Sequence, residues 1–292
     1  MRPHILFNPT AGSAANAEQN LGKLKRLRPA ALSITKKPGD AEKWASKAIR
    51  SGCDYIVVAG GDGTLNEVVN GAARTRHKMR IGIVPLGTGN DFARTLDLPF
   101  SVDENIDILR NGKTRALDIV RVRSDRTRYF VNVSAGGFSG IVREKITPEI
   151  KRNWGPLAYI RSAAAALPQL HGYNTRLVLD DSEELSSALY NVVIANGRFV
   201  AGGLPIAPEA DPRDGLLDVV LIPKQGAAEM ALLAAEIILG KHISSRLVIA
   251  RRAKKVAVRS RPGMWFNVDG ELVGRATAEF QVLPRALRFV TK

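Results

Sequence analysis

The chain has one cysteine, Cys53, which excludes any disulfide within it and fits a reducing compartment. Cys53 lies beside the apolar run Tyr55-Ile56-Val57-Val58 and is expected to be a small buried residue. Four scattered histidines and a single cysteine leave no zinc-type ligand cluster. No apolar run reaches the roughly 20 residues that a membrane-spanning helix needs. The longest, "GAAEMALLAAEIILG" (226–240), carries Glu229 and Glu236 and reads as a mostly buried helix, with membrane-surface contact as the lesser alternative. The opening "MRPHILFNPTAG" has too short an apolar run for a signal peptide, and Pro9 interrupts it. The expectation is a cytoplasmic protein with no transmembrane segment. Internal repeats, low-complexity tracts, a Walker A motif and the dinucleotide G-x-G-x-x-G are also missing. Acids are scarce relative to bases: 28 against 43, a formal charge of +15. That imbalance favours polyanionic partners: anionic membrane, phosphorylated small molecules or nucleic acid. For nucleic acid, charge is the sole support, because no aromatic-and-basic recognition motif accompanies it.

What is present falls into two grammars. Through residue 96, apolar strand-like runs (4–7, 31–35, 55–60, 81–87) alternate with helical patterns (to Leu27, 39–52, 64–73, 90–96). Such alternation implies a parallel sheet covered on both faces. After about residue 114, strand-like runs follow one another through turns, at 116–122, 128–135, 175–180, 189–196, 216–223, 254–260, 264–270, 278–284 and 287–292. Helical inserts are expected at about 155–167 and 226–240. A second, largely antiparallel domain, sandwich or barrel, is therefore expected, with the boundary near residues 112–126.

Three glycine-bearing junctions punctuate the first half. "GGDGT" (60–64) joins strand 55–60 to helix 64–73. "NPTAGS" (8–13) and "PLGTGNDFA" (85–93) also follow a strand and precede a helix. Glycines permit positive φ and close approach of a ligand, and a helix N-terminus behind them forms an anion cradle. Asp62 would repel a bare phosphate, but a divalent cation between them resolves the conflict. The residues alone leave open a tight turn with Asp62 as a helix cap. Parallel strands bring such junctions to one sheet edge, where α/β folds bind ligands.

"GGDGTLNEVVNG" with "PLGTGNDFAR" after it and "NPTAG" before it resembles the diacylglycerol/sphingosine/ceramide kinase catalytic family, with the bacterial soluble lipid kinases of the diacylglycerol kinase type as the nearest branch. The resemblance continues through "VNVSAGGFSG" (131–140), "ANGRFVAGGLPIAPEADPRDGLLDVVLI" (195–222) and "FNVDGE" (266–271). It implies an α/β fold: an N-terminal parallel-sheet nucleotide-binding domain (1–122), then a mainly antiparallel β-sandwich that takes the lipid (123–285), with the active site in the cleft between them. Residues 286–292 return to the first domain in many relatives.

By the same resemblance, ATP is the phosphate donor and Mg²⁺ accompanies it. Asn8, Thr10, Gly12, Ser13 and the stretch Gly60, Gly61, Asp62, Gly63, Thr64 and Asn66 fall on the phosphate side. Asp62 bears on the catalytic Mg²⁺ and its waters. Thr35, Thr88 and Asn90 match nucleotide contacts, and Asp91 an acid of the metal-and-water network, although a helix cap also explains Asp91. Arg94, four residues after Asn90, can face the same phosphates. Many relatives carry a basic residue just after the first-motif glycine. Here Ser13, Ala14 and Ala15 stand there, so neutralisation must come from Mg²⁺ or other bases.

Glu271 of "FNVDGE" matches the family's general base, and Asp269 is the alternative base or an orienting partner. Without the resemblance, the same residues read as a solvated β-turn. Asp214, with Asp211 and Leu216 giving mainly carbonyl oxygens, matches a structural Mg²⁺ site in bacterial relatives, whereas the residues alone also read as a turn. The expected function is an ATP- and Mg²⁺-dependent kinase acting on a lipid hydroxyl at an anionic membrane surface, peripheral to it, and compatible with an oligomer. NAD kinase shares "GGDGT", but "GTGNDFA" and the C-terminal motifs argue against it. A non-catalytic lipid- or nucleotide-binding protein on the same scaffold is the third reading.

Overall fold

The alternation in the first hundred residues becomes β1 (His4–Phe7), α1 (Ala17–Lys25), β2 (Ala31–Ile34), α2 (Asp40–Arg50), β3 (Tyr55–Gly60), α3 (Asp62–Ala73), β4 (Arg80–Pro85) and α4 (Asp91–Thr95). The coordinates are a computed structural model that describes residues 2–12, 14–73, 79–137 and 171–292. The helix expected over 155–167 lies outside the described residues, and so does Ser13. By its internal contacts the chain divides into two units, Met1–Ile119 with Leu283–Lys292, and Val120–Val282.

In the first unit the strands lie in the order β2-β1-β3-β4, all parallel, and Arg288 and Phe289 add a further parallel strand beside Arg80 and Ile81 of β4. Every residue of β3 is buried, as a strand covered on both faces requires. Against α3, α2 turns Ala41, Ala45, Ala48 and Ile49 inward. A Cβ at Gly71 would stand 2.7 Å from the Glu42 carbonyl oxygen, so only glycine lets these helices approach so closely. One helix was not anticipated: α5 (Val102–Asn111), whose N-cap Ser101 accepts from the Glu104 amide at 3.4 Å. The spacing S-x-x-E at 101–104 is the signature that marks it.

The second unit is antiparallel. It begins within β5 (Lys113–Arg123), continues with β6 (Thr127–Phe130), β7 (Val133–Gly137), β8 (Tyr173–Leu179), β9 (Glu183–Ala195), β10 (Leu217–Pro223), α6 (Ala227–Ile238), β11 (Ile249–Ala253), β12 (Lys255–Arg261), β13 (Trp265–Val268) and β14 (Glu271–Arg275), and ends within β15 (Thr277–Thr291), which from Leu283 onward belongs to the first unit. The long β9 pairs with β7, β8 and β10, and β13 lies between β7 and β14. Along β12, Val256, Val258 and Ser260 are buried, while Arg259 and Arg261 between and beyond them are exposed. The buried faces build a core in which the rings of Phe130 and Phe266 meet Phe280 edge-on at 6.4 and 6.0 Å.

Three expectations change. The runs 278–284 and 287–292 form one strand, β15, which bends where Arg285 takes φ +50° and its amide donates to Asp118 Oδ1 at 2.7 Å. The run 128–135 splits into β6 and β7. The helix expected to be mostly buried, α6, buries only Leu233, which packs into a second core with Val220 and Ile222. Its remaining apolar side chains outnumber the face that this core can cover, so Leu232, Ile238 and the following Leu239 stay exposed. Among the described residues no helix is long and apolar enough to cross a membrane.

Candidate active site

The three glycine-bearing loops of the first unit meet at the carboxyl ends of β1, β3 and β4. Asn8, at the end of β1, ties two of them. Its Nδ2 donates to Thr64 Oγ1 at 3.0 Å, and its Oδ1 accepts from the amide and hydroxyl of Thr10 at 3.0 and 2.8 Å. Gly12 has φ +70°, and a Cβ there would stand 2.2 Å from the Leu86 carbonyl oxygen. The first loop therefore touches the third through bare backbone.

Helix α3 starts at Asp62, two residues earlier than its pattern suggested, which places Asp62, Gly63 and Thr64 in its first turn. The amides of that turn have no carbonyl within the helix to receive them. Gly63 is exposed, and a Cβ on it would meet nothing within 4 Å, so the helix opens on empty space there. Half-buried Asp62 reaches the other way: its Oδ1 accepts from the Phe92 amide at 3.4 Å, at the start of α4. Its Oδ2 has no hydrogen-bond partner among the described residues, and a carboxylate so placed fits a hard cation beside bound phosphates. Thr35 is buried, with its hydroxyl 3.5 Å from the Phe7 carbonyl oxygen. Asn66 points along α3, where its Oδ1 accepts from Asn70 at 3.1 Å.

The third loop holds its own shape. Asn90, at φ +53°, receives the Gly87 amide on Oδ1 at 2.9 Å and donates Nδ2 to the Gly87 carbonyl at 2.6 Å. Arg94 donates Nε to the Gly89 carbonyl at 3.2 Å and lays its guanidinium 4.5 Å from the Phe100 ring centroid. Thr88 is exposed at the tip, and Asp91 is buried in the first turn of α4. Phe92 anchors α4 edge-on against Phe289 at 5.5 Å.

Glu271 and Asp269 lie in the second unit, on the β13–β14 hairpin. Asp269, at φ +43°, exchanges two bonds with Val133: Oδ1 accepts from its amide and the Asp269 amide donates to its carbonyl, both at 3.0 Å. That carboxylate fixes the turn to β7. Glu271 opens β14 and receives two guanidiniums, Arg126 on Oε1 at 2.8 Å and Arg128 on Oε2 at 2.9 Å. Arg128 is 8% exposed and Glu271 37%. Both oxygens of Glu271 are thus engaged by guanidiniums, which hold the side chain in one orientation.

Asp211, Asp214 and Leu216 lie elsewhere in the second unit. Both oxygens of Asp211 face Arg213, at 2.7 and 2.8 Å, and that hydrogen bond holds its carboxyl below the usual range against burial, which raises it. Asp214 accepts from the Leu216 amide at 2.9 Å and pairs with Arg252. The carboxylates of Asp211 and Asp214 are thus both met by arginine. No group of three or more His, Cys, Asp or Glu gathers as a metal set among the described residues. Nearby Asp218, which the site expectation did not include, is pushed up to about 6 by burial, helped by Asp214 and Glu209 and opposed by Arg252.

Residues 2–122 match the diacylglycerol kinase catalytic domain, and residues 132–291 the YegS C-terminal NAD kinase beta sandwich-like domain. A diacylglycerol kinase of Staphylococcus epidermidis is 33% identical over 99% of this chain and 92% of its own length. The chain belongs to the diacylglycerol kinase family, and so to a family of kinases. Its fold is shared with a Bacillus anthracis protein assigned provisionally to the diacylglycerol kinases (22% identity, TM-score 0.85, covering all of this chain and 95% of that one). It is shared more distantly with an NAD kinase of Archaeoglobus fulgidus solved with ATP (15% identity, TM-score 0.54, covering all of this chain and 94% of that one).

Within this family member, three contributions lay beyond sequence reading. Arg126 and Arg128 join Glu271 across more than 140 positions, and nothing local marks them. Glu67 receives the amides of Gly39 and Ala41 at 2.8 and 3.0 Å and so caps α2 from α3, a contact between helices that no local pattern encodes.

Proposed function

We propose that this protein transfers the γ-phosphoryl group of ATP to a free hydroxyl of a diacylglycerol-like or long-chain lipid. One observation carries the reading: the open first turn of α3 at Gly63, which follows directly on Gly61, a glycine packed backbone to backbone on Gly87 of the third loop. Unpaired helix amides facing open space favour phosphate oxygens, and the loops beside them are tied by the Asn8–Thr64 bond and by the two bonds between Asn90 and Gly87. Asn8, Thr10 and Asn90 spend their side chains on the loops, so their role is to hold the cradle. The amides of Gly63 and Thr64 are the phosphate donors. Ser13, Thr35 and Thr88 are assigned to the nucleotide by family resemblance, and Arg94 braces the loop at Gly89. Asp62, with Asp91 behind it, would hold a Mg²⁺ ion, which supplies charge neutralisation at the phosphates.

Glu271 takes the proton. As the lipid hydroxyl oxygen forms its bond to the γ-phosphorus, the bond from that phosphorus to the β-bridging oxygen breaks. ADP leaves, and the hydroxyl proton moves to the Glu271 carboxylate. Asp269 serves the turn and acts as an orienting partner. The family's name and the 33% identity over 99% of this chain support diacylglycerol as the acceptor class. NAD kinase is the second reading, supported by the shared fold of the Archaeoglobus fulgidus enzyme and by "GGDGT". Incubation with γ-labelled ATP and a panel of diacylglycerols, long-chain bases and NAD decides between them. Label should enter a lipid, and chelation of Mg²⁺ should abolish the transfer. Label in NAD alone, or in nothing, would overturn the reading.

A further inference from the structure

We propose that the β13–β14 hairpin is the face by which this protein docks on an anionic lipid bilayer. The proposal rests on the lipid-kinase reading only for its purpose, not for its evidence. Among the described residues seven large apolar side chains are exposed to water, and two of them, Trp265 and Leu272, each 46% exposed, sit on this one hairpin. Trp265 is paired with Arg275, and Asn267 with Leu272. Residues directly opposite share a face, and Trp265 and Asn267 are two apart, so the tryptophan, the leucine and Arg275 look the same way. The other face is spent: Phe266, Val268 and Val273 are buried in the core.

The charge around these side chains selects the partner. Arg275 donates Nε to the Gly263 carbonyl at 3.0 Å, and its guanidinium stands 5.8 Å from the Trp265 ring centroid, which fixes a cation beside the indole. Arg261, exposed, ends the strand leading into the hairpin, and Arg126 donates to the Leu272 carbonyl. The acid of the hairpin's second strand, Glu271, is already neutralised by two guanidiniums. An amphipathic indole and a leucine ringed by cations match the headgroup–acyl boundary of an anionic bilayer. A further exposed apolar group among the described residues, Leu232, Ile238 and Leu239 at α6, has exposed Glu229 on its helix and exposed Lys241 just beyond it, a mixed charge rather than a cationic rim.

Co-sedimentation with phosphatidylglycerol and with phosphatidylcholine vesicles tests it. The wild type should bind the anionic vesicles and not the zwitterionic ones. W265A/L272A should lose about ten-fold or more in affinity for phosphatidylglycerol, and R275A about five-fold. L232S/L239S should bind as wild type. A protein with Trp265 as its sole tryptophan (W44F/W154F) should shift its emission to the blue on the same vesicles, which keeps the test decisive if a hairpin variant misfolds. Wild-type binding by W265A/L272A, loss confined to L232S/L239S, no binding of anionic vesicles, or an unmoved Trp265 emission would each overturn the proposal. Transfer to a water-soluble short-chain diacylglycerol without vesicles separates the two readings. Its absence would count against the kinase reading and leave the docking result standing.

Discussion

Gly61 and Gly87 stand on different loops, yet a Cβ on Gly87 would lie 2.6 Å from the Cα of Gly61, and one on Gly61 would lie 3.0 Å from the Cα of Gly87. Backbone meets backbone, so neither loop can yield by turning a side chain. A substitution at Gly87 must displace a loop. Gly87→Ala should therefore lower both melting temperature and ATP affinity. Gly63→Ala separates the two effects. Its Cβ meets nothing within 4 Å, and alanine favours a helix by about 1 kcal/mol over glycine. Thermal melts should show Gly63→Ala as stable as wild type or more so, while nucleotide titration shows weakened ATP binding, because the methyl enters the space assigned to phosphate.

Arg128 bears on the proposed base. Its guanidinium is nearly buried and holds Glu271 Oε2 at 2.9 Å, while Arg126 on Oε1 is half exposed. Arg128→Met should reduce kcat about ten-fold or more with little change in the KM for ATP, since orientation of the carboxylate is lost and the nucleotide cradle is untouched. Arg128→Lys should restore part of it, being a charge without the planar fork. Arg126→Ala, from an exposed pair, should cost less. Steady-state kinetics of the three variants beside wild type checks the order.

Asp218 gives a pH dependence. Its carboxyl is pushed up to about 6 from 3.8, first by burial and then by Asp214 and Glu209, against Arg252. The folded state thus binds a proton that the unfolded state releases between about pH 4 and 6, and Asp218's contribution to stability falls as pH rises through that window. At pH 7.5 the ionised form is penalised by at most about 3 kcal/mol. Asp218→Asn should raise the melting temperature at pH 7.5 and change it little at pH 4, where both side chains are neutral. Melts across pH 4–8 read the difference.

The first unit was the more legible in sequence. "YIVVAG" announces a doubly covered strand, and the glycines of "GGDGT" and "PLGTGND" announce tight junctions at its end, since both signals are local. Ser101 and Glu104 carry a local helix start, the S-x-x-E spacing that opens α5. The partners of Glu271 were not readable, because strand pairing across more than 140 residues brings Arg126 and Arg128 to it. Nor was the role of Asn90: the same residue type serves a nucleotide or its own loop equally well, and the two bonds to Gly87 are set by a φ of +53° that sequence only permits. In α6, composition alone suggested burial, whereas exposure depends on how much core surface waits beneath a helix.

The most direct measurement is the rate of γ-phosphoryl transfer from ATP to diacylglycerol by Glu271→Gln beside wild type, with ATP affinity measured on the same samples. A neutral amide keeps the shape of the side chain but cannot take the hydroxyl proton. The account predicts a fall of about 10²–10⁴-fold in kcat at unchanged ATP affinity. Transfer by Glu271→Gln at the wild-type rate would contradict it.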